Sequence, residues 1–259
     1  MERRPPTPSL LPKPHRRLAA LARRPLFWLG SVIYFVDLLP FALANGRRLR
    51  DRTHALTQRA RMAKLYFSYS TMNAGKSTLL LQASYNYRER GMRTLLFTSS
   101  LYAQEGGRIT SRIGISADAE LYGTDDDLFD RIRAATEESK VDCVLVDESQ
   151  FLTADQVWQL ARVADRLRVP VMCYGLRTDF QGKLFPGSSE LLAVADVLRE
   201  IRTICWCGAK ATMVVRKGAD GRVLQAGEQV SIEKSVYVSL CRKHWEEEIG
   251  RWPVRGPNP

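Results

Sequence analysis

AKLYFSYSTMNAGKSTLLLQASYNYRERG, residues 63–91, decides the fold. Its first part, AKLYFSY (63–69), is a short apolar and aromatic run of the kind that forms a buried strand. LLLQASYNYRER (79–90) follows as a helix candidate, with Gly91 placed where a helix C-terminus favours glycine. Between them lies STMNAGKST. Strand, glycine-bearing turn and helix form the setting a phosphate loop needs, because N–H groups of the turn and the positive end of the helix dipole both face an anion. The pattern G-x-x-x-x-G-K-[ST] is met at Gly75, Lys76 and Ser77, with Ser70 in the first glycine position. Lys76 is expected to reach the β- and γ-phosphates as a point charge, and the Ser77 hydroxyl to ligate Mg²⁺.

Further strands are expected at 93–99, 141–147, 169–174 and 197–203, and helices at 155–168 and 188–195. Strands alternating with helices give a mostly parallel sheet covered on both faces, an α/β fold. VDCVLVD (141–147) is apolar at nearly every position, as a central parallel strand should be. It ends in Asp147-Glu148, and an acidic pair at the carboxyl end of such a strand lies where α/β sheets bind nucleotides. Asp147 is expected to hold Mg²⁺, directly or through water. Glu148 is then free to accept a proton from an attacking hydroxyl.

Five cysteines in 259 residues do not make a disulfide scaffold. Cys143 and Cys173 sit in apolar runs and read as small hydrophobes. Cys205 and Cys207, then Cys241 and His244 after an intervening 33 residues, supply the four N/S ligands of a tetrahedral structural zinc. The stretch between the pairs alternates β-type runs with glycine turns and reads as a hairpin pinned by the metal.

The net charge of +11 is unevenly spread. Residues 1–61 carry 13 of the 39 Lys and Arg against three acids, a net of +10, which leaves +1 for the rest of the chain. Basicity therefore gives no reason to expect nucleic acid as a partner of the folded body. Within this N-terminal extension, residues 25–44 are long and apolar enough for a membrane span, but Asp37 near its middle costs about 2.5–3.5 kcal/mol on insertion scales. Three readings stand for the extension: a membrane or membrane-surface anchor, a buried or interfacial amphipathic segment, or a stretch upstream of a start at Met62. Membrane contact is expected only if the extension at 1–61 is part of the protein. The remainder divides into a P-loop domain (62–204), a metal-binding domain (205–252) and a tail (253–259).

Over about residues 62–252 the chain resembles the zinc-containing thymidine kinases. The segments that carry the likeness are YSTMNAGKS (69–77), CVLVDESQFL (143–152), PVMCYGLRTDFQGKLF (170–185), TICWCGAKA (203–211) and YVSLCRKH (237–244). The resemblance implies a RecA-like P-loop domain with a small zinc-ribbon domain whose tethered loop is called the lasso. It also implies transfer of the ATP γ-phosphate to the 5′-hydroxyl of thymidine or deoxyuridine, a homotetramer, feedback inhibition by dTTP and a cytoplasmic location. On this alignment Ser70, Thr71, Met72, Asn73, Ala74, Gly75, Lys76 and Ser77 bind ATP, with Asp147, Glu148, Ser149 and Gln150 bordering it. Glu148 matches the catalytic base, and Ser77 and Asp147 serve Mg²⁺. Met72, Phe151, Phe180 and Tyr237 face the nucleoside. The likeness breaks in one place. After the second strand, family members carry D-x-R near the phosphates, whereas this chain reads SSLYAQEGGRITSR, leaving Glu105, Arg108 and Arg112, with either arginine as the substitute.

Two other functions fit parts of the pattern. One is a nucleotide-binding protein of the same fold that transfers phosphate poorly. The other is a P-loop ATPase acting on nucleic acid, suggested by the basic extension alone.

Overall fold

The computed structural model describes residues 63–101, 107–227, 229 and 236–250; the extension at 1–61, the tail at 253–259 and Glu105 lie outside them. No helix among the described residues is long and apolar enough to cross a membrane, and residues 25–44 are not among them.

Six strands form the central sheet: β1 (Leu65–Ser70), β2 (Thr94–Ser99), β5 (Glu120–Tyr122), β6 (Cys143–Val146), β7 (Val171–Leu176) and β8 (Val197–Glu200). Their order is β5-β2-β6-β7-β1-β8 and every pairing is parallel. The five strands expected from apolar runs are all present. The sixth, β5, is three residues long in a polar stretch and had no such signal.

Side-chain alternation along β6 divides the core in two. Val144 and Val146 pack on one face with Phe67, Phe97, Val171 and Cys173. Cys143 and Leu145 pack on the other with Leu80, Leu81 and Tyr174. The second face is covered by α1 (Lys76–Glu89), whose C-terminus closes with Gly91 N–H donating to Arg88 O and Met92 N–H to Tyr87 O. That pair of bonds needs a left-handed residue, and Gly91 takes φ +72°. The hairpin of β3 (Arg108–Thr110) and β4 (Ser116–Asp118) adds Ile109 to the same face.

The first face is covered by α2 (Leu128–Glu138), α3 (Ala154–Arg162) and α4 (Pro186–Val194). α2 was not anticipated, although its signals are present. Asp127 caps it by accepting from Asp130 N–H, and Leu128 and Ile132 recur at helical spacing. The helix expected to run to 168 instead leaves α geometry at Val163 and finishes in a π turn, Val163–Leu167, ended by left-handed Arg168.

Beyond the sheet, β9 (Thr203–Ile204) pairs with β10 (Lys210–Ala211), and β11 (Met213–Lys217) pairs antiparallel with β12 (Val236–Leu240) ahead of α5 (Arg242–Glu248). The strand expected at 197–203 is thus divided: β8 stays in the sheet and β9 opens the metal-binding region.

The short 3-10 turn Ser149–Phe151 after β6 carries site residues and packs tightly on the start of α4. A Cβ at Gly187 would lie 2.7 Å from both Leu152 O and Ser149 O. Gly187→Ala is therefore expected to push this turn outward and to cost roughly 1–3 kcal/mol of stability, as overpacking does, measurable by urea unfolding.

Candidate active site

The P-loop runs from the end of β1 into α1. Its tight path uses two left-handed residues, Asn73 at φ 61° and Gly75 at φ 84°. Lys76 folds back so that its Nζ donates to Thr71 O at 3.0 Å, and only 7% of the residue is exposed. Burial pulls its ammonium below the ordinary lysine value. Glu148 and Asp147 act against that, while the Arg112 charge adds to it.

Asp147 is 3% exposed. Burial, then the charge of Glu148, push its carboxyl up to about 7, against the Ser77 hydroxyl, the Glu148 N–H and Lys76, which pull it down. The two residues expected to serve Mg²⁺, Ser77 and Asp147, are thus brought into hydrogen-bonding contact. A divalent cation between them would relieve the burial of the carboxylate charge.

Glu148 adopts a left-handed backbone, φ 51°, which is uncommon outside glycine. Three bonds hold it there. Its N–H donates to Asp147 Oδ1 at 3.0 Å, and its carbonyl accepts from Tyr122 Oη at 2.8 Å. The Gln150 Nε2 donates to its carboxylate Oε2 at 2.5 Å, and Gln150 Oε1 accepts from Leu176 N–H at 2.9 Å. Gln150, 1% exposed, therefore ties the carboxylate to the end of β7.

Two cavities meet at this point. The first, about 290 Å³, is lined by Met72 to Thr78, Thr110 to Ile113 and Glu148. The second is an apolar pocket that brings together the four residues expected to face a nucleoside, Met72, Phe151, Phe180 and Tyr237, along with Glu148 and Gln150. Leu176, Thr178, Asp179, Phe185, Val214 and Gln229 also line it and were not anticipated. Phe151 meets Phe185 edge-on at 5.8 Å, and Arg216 lies over the Phe180 ring at 5.1 Å. Ser70 and Ser149 are buried and line neither cavity. Of the two candidate arginines, Arg112 lines the phosphate cleft, while Arg108 bonds Ser116 Oγ on its own hairpin.

The Cys and His residues form one cluster, with Cys205, Cys207, Cys241 and His244 ligand atoms all within 4.8 Å of one another. His244 Nδ1 lies 3.3 Å from the sulfurs of both Cys205 and Cys241, and Cys207 Sγ lies 4.0 Å from Cys241 Sγ. Against burial, which raises it, N–H groups of Cys207 and Cys241 and the His244 ring bring the Cys205 thiol down to about 6. Trp206 stacks on the His244 ring at 4.0 Å.

The metal-binding region is bonded directly to both cavities. Trp245 Nε1 donates to Phe180 O and to Val214 O. On β12, Ser239 Oγ donates to Met72 O at 2.6 Å, and Tyr237 O accepts from Asn73 Nδ2 at 3.3 Å.

Comparison with known proteins agrees with this geometry. Residues 63–245 match the family model described as thymidine kinase. The chain belongs to the thymidine kinase family. It is 67% identical over 191 residues to the thymidine kinase of Mesorhizobium japonicum, covering 73% of this chain and 94% of that protein. The thymidine kinase of Ruegeria pomeroyi is 63% identical over 75% of this chain, and that of Jannaschia sp. 62% identical over 74%, each matched over its whole length. Among solved structures, the ATPase domain of G40P shares 13% identity and a TM-score of 0.39 over 71% of this chain and 83% of that one.

In this thymidine kinase the link from β7 to Glu148 depends on Gly175. A Cβ there would lie 2.6 Å from Ser149 Oγ and 2.9 Å from Gln150 Oε1. Gly175→Ala is expected to displace Gln150, and with it the Glu148 carboxylate. Because misplacement by about 1 Å can cost on the order of 10²-fold, steady-state kinetics should show a kcat loss of roughly that size.

Proposed function

We propose that this kinase moves the γ-phosphate of ATP in line onto the 5′-hydroxyl of thymidine, and of deoxyuridine, giving ADP and the nucleoside monophosphate. One observation carries the reading: the phosphate cleft and the apolar pocket share Glu148 and Met72. A hydroxyl presented from the pocket and a terminal phosphate held on the P-loop would meet beside a carboxylate. The 5′-oxygen bonds to the γ-phosphorus, the bridge to the β-phosphate breaks, and Glu148 takes the hydroxyl proton. Lys76 offsets negative charge on the phosphates, and N–H groups of residues 70–77 cradle them. Magnesium accompanying ATP would be held by Ser77 and Asp147, directly or through water, and would neutralise charge on the β- and γ-phosphates. Met72, Phe151, Phe180 and Tyr237 hold the nucleoside, and an enclosed pocket keeps water from competing with it. This convergence of base, lysine and nucleoside pocket favours turnover over nucleotide binding alone.

Zinc fits the cysteine and histidine cluster. Tetrahedral zinc, with Zn–S of about 2.3 Å, sets ligand separations of roughly 3.5–3.8 Å, close to the 3.3, 3.3 and 4.0 Å of three of the pairs, with all four ligand atoms within 4.8 Å of one another. All four positions are taken by Cys205, Cys207, Cys241 and His244, so its role is structural. We assign residues 62–204 to the kinase domain and 205–252 to the zinc and lasso domain. Family membership also supports a homotetramer, inhibition by dTTP and a cytoplasmic location.

Glu148→Gln is expected to lower kcat by roughly 10²–10⁴-fold in a coupled ADP-release assay, the range for loss of a general base. A loss below tenfold would remove Glu148 from that role. Stripping the metal with a chelator should raise the KM for thymidine more than that for ATP, because Trp245 joins α5 to Phe180 and Val214.

A further inference from the structure

The apolar pocket has a polar hub on one side. Asp179 opens the turn that carries Phe180, and it is only 2% exposed. Its Oδ1 accepts from the N–H groups of Gln181 at 2.9 Å and Lys183 at 2.8 Å, while its own N–H donates to Lys183 O at 2.9 Å. A short carboxylate that accepts from the backbone two residues on tightens a turn in this way. One carboxylate oxygen thus shapes the turn that sets Phe180 in the pocket lining.

The second oxygen reaches across the pocket. Asp179 Oδ2 accepts from Gln229 Nε2 at 2.9 Å, over 50 residues of chain, and both residues line the pocket. A carboxylate only accepts, so the Gln229 amide has to turn its N–H₂ end to Asp179. A second bond runs alongside, from Gln181 Nε2 to Gly227 O at 3.0 Å. A Cβ at Gly227 would lie 3.9 Å from Phe180 Cζ and 3.7 Å from Arg216 Nη2. The backbone at Gly227 therefore rests close to the Phe180 ring and to the guanidinium that covers it.

We propose that Asp179 is a positioning residue for the nucleoside: through Gln229 it ties the chain ahead of β12 to the Phe180 turn, and so fixes the spacing of two walls between which thymidine lies. The inference rests on the reading of that pocket as the nucleoside site and adds the bond that joins its walls. Neither Asp179 nor Gln229 lines the phosphate cleft. Thymidine binding therefore depends on the bond, and ATP binding does not. A hydrogen bond to a charged group is stronger than a neutral one, and this one is partly shielded from solvent.

The test exchanges the two partners in the full chain. Gln229→Leu removes the amide at similar size, and Asp179→Asn keeps an oxygen for the Gln181 and Lys183 N–H groups. Gln229→Glu sets two carboxylates against each other. Asp179→Asn combined with Gln229→Glu restores one carboxylate and one amide with their roles reversed. Each is measured by steady-state kinetics and by calorimetric binding of thymidine and of the non-hydrolysable ATP analogue AMP-PNP, which also checks that the variant is folded. Gln229→Leu is expected to raise the KM and Kd for thymidine roughly tenfold, with kcat within about threefold and AMP-PNP affinity within about twofold of the parent. Asp179→Asn alone should cost less, since the Gln229 amide can turn over and accept. Gln229→Glu should weaken thymidine more than Gln229→Leu does, because like charges meet where solvent only partly screens them. The exchanged pair should recover thymidine affinity to within about threefold of the parent, a coupling that two independent structural roles would not give. A thymidine KM within about twofold of the parent in Gln229→Leu, equal weakening of thymidine and AMP-PNP, or an exchanged pair no better than Gln229→Glu would overturn the assignment. A parent chain that bound no thymidine would remove the nucleoside reading and this inference together, whereas normal parent turnover with unaffected variants would remove the inference alone.

Discussion

Two carboxylates and one ammonium share the space where β1 and β6 end. Lys76 and Asp147 are both largely buried, and Glu148 is their neighbour. Neither buried charge is stable alone there, because burial disfavours the charged form of Lys76 and of Asp147. They coexist because Lys76 and the acids offset one another, although the Glu148 charge opposes that of Asp147, and the Ser77 hydroxyl and the Glu148 N–H help to hold the Asp147 carboxylate. The arrangement leaves room for a polyphosphate and its cation, which extend the same alternation of charge. The parallel sheet is the means of producing it: adjacent parallel strands end at the same level, so the loop after β1 and the acids after β6 reach one edge.

Around that charge cluster the molecule limits the freedom of a single side chain. Glu148 is held in a left-handed backbone by Tyr122 from the sheet edge, and its carboxylate is held by Gln150, which is itself anchored on Leu176. The P-loop in turn is bonded to the cysteine-rich region, since Ser239 and Tyr237 on β12 bond Met72 and Asn73. Trp245 adds a second link, from α5 to Phe180. The Cys and His cluster is thus linked by hydrogen bonds to the elements that line both cavities.

Much of this was legible before folding was considered. Apolar runs marked five of the six sheet strands, because strands buried on both faces need side chains without polar groups. The P-loop was legible even with Ser70 in place of glycine, since the strand before it and the helix after it supplied the context. The clustering of Cys205, Cys207, Cys241 and His244 was legible despite the shortened Cys205-Trp206-Cys207 spacing, because thiols and imidazole are scarce enough that their grouping means something. β5 was not legible: three residues in a polar segment carry no periodicity, and the strand exists because β2 offers a free edge. For the same reason nothing marked Tyr122 as a support for Glu148. Between Arg108 and Arg112 the residue types alone offered no choice; in the structure Arg112 lines the cleft beside the P-loop and Arg108 bonds its own hairpin.

The sequence by itself determined five of the six sheet strands, the phosphate-loop pattern, the acidic pair and the two Cys/His pairs, because each is encoded by neighbours a few residues apart. Only the tertiary structure decided that Gln150 bridges Leu176 and Glu148, that the phosphate and apolar cavities share a wall, and that Arg112 rather than Arg108 faces the P-loop. These are relations between residues distant in the chain. They depend on strand order, on the close approach that a missing Cβ at Gly175 permits, and on the direction in which a turn presents its side chains. Local pattern carries none of those quantities, since they are set when the layers pack.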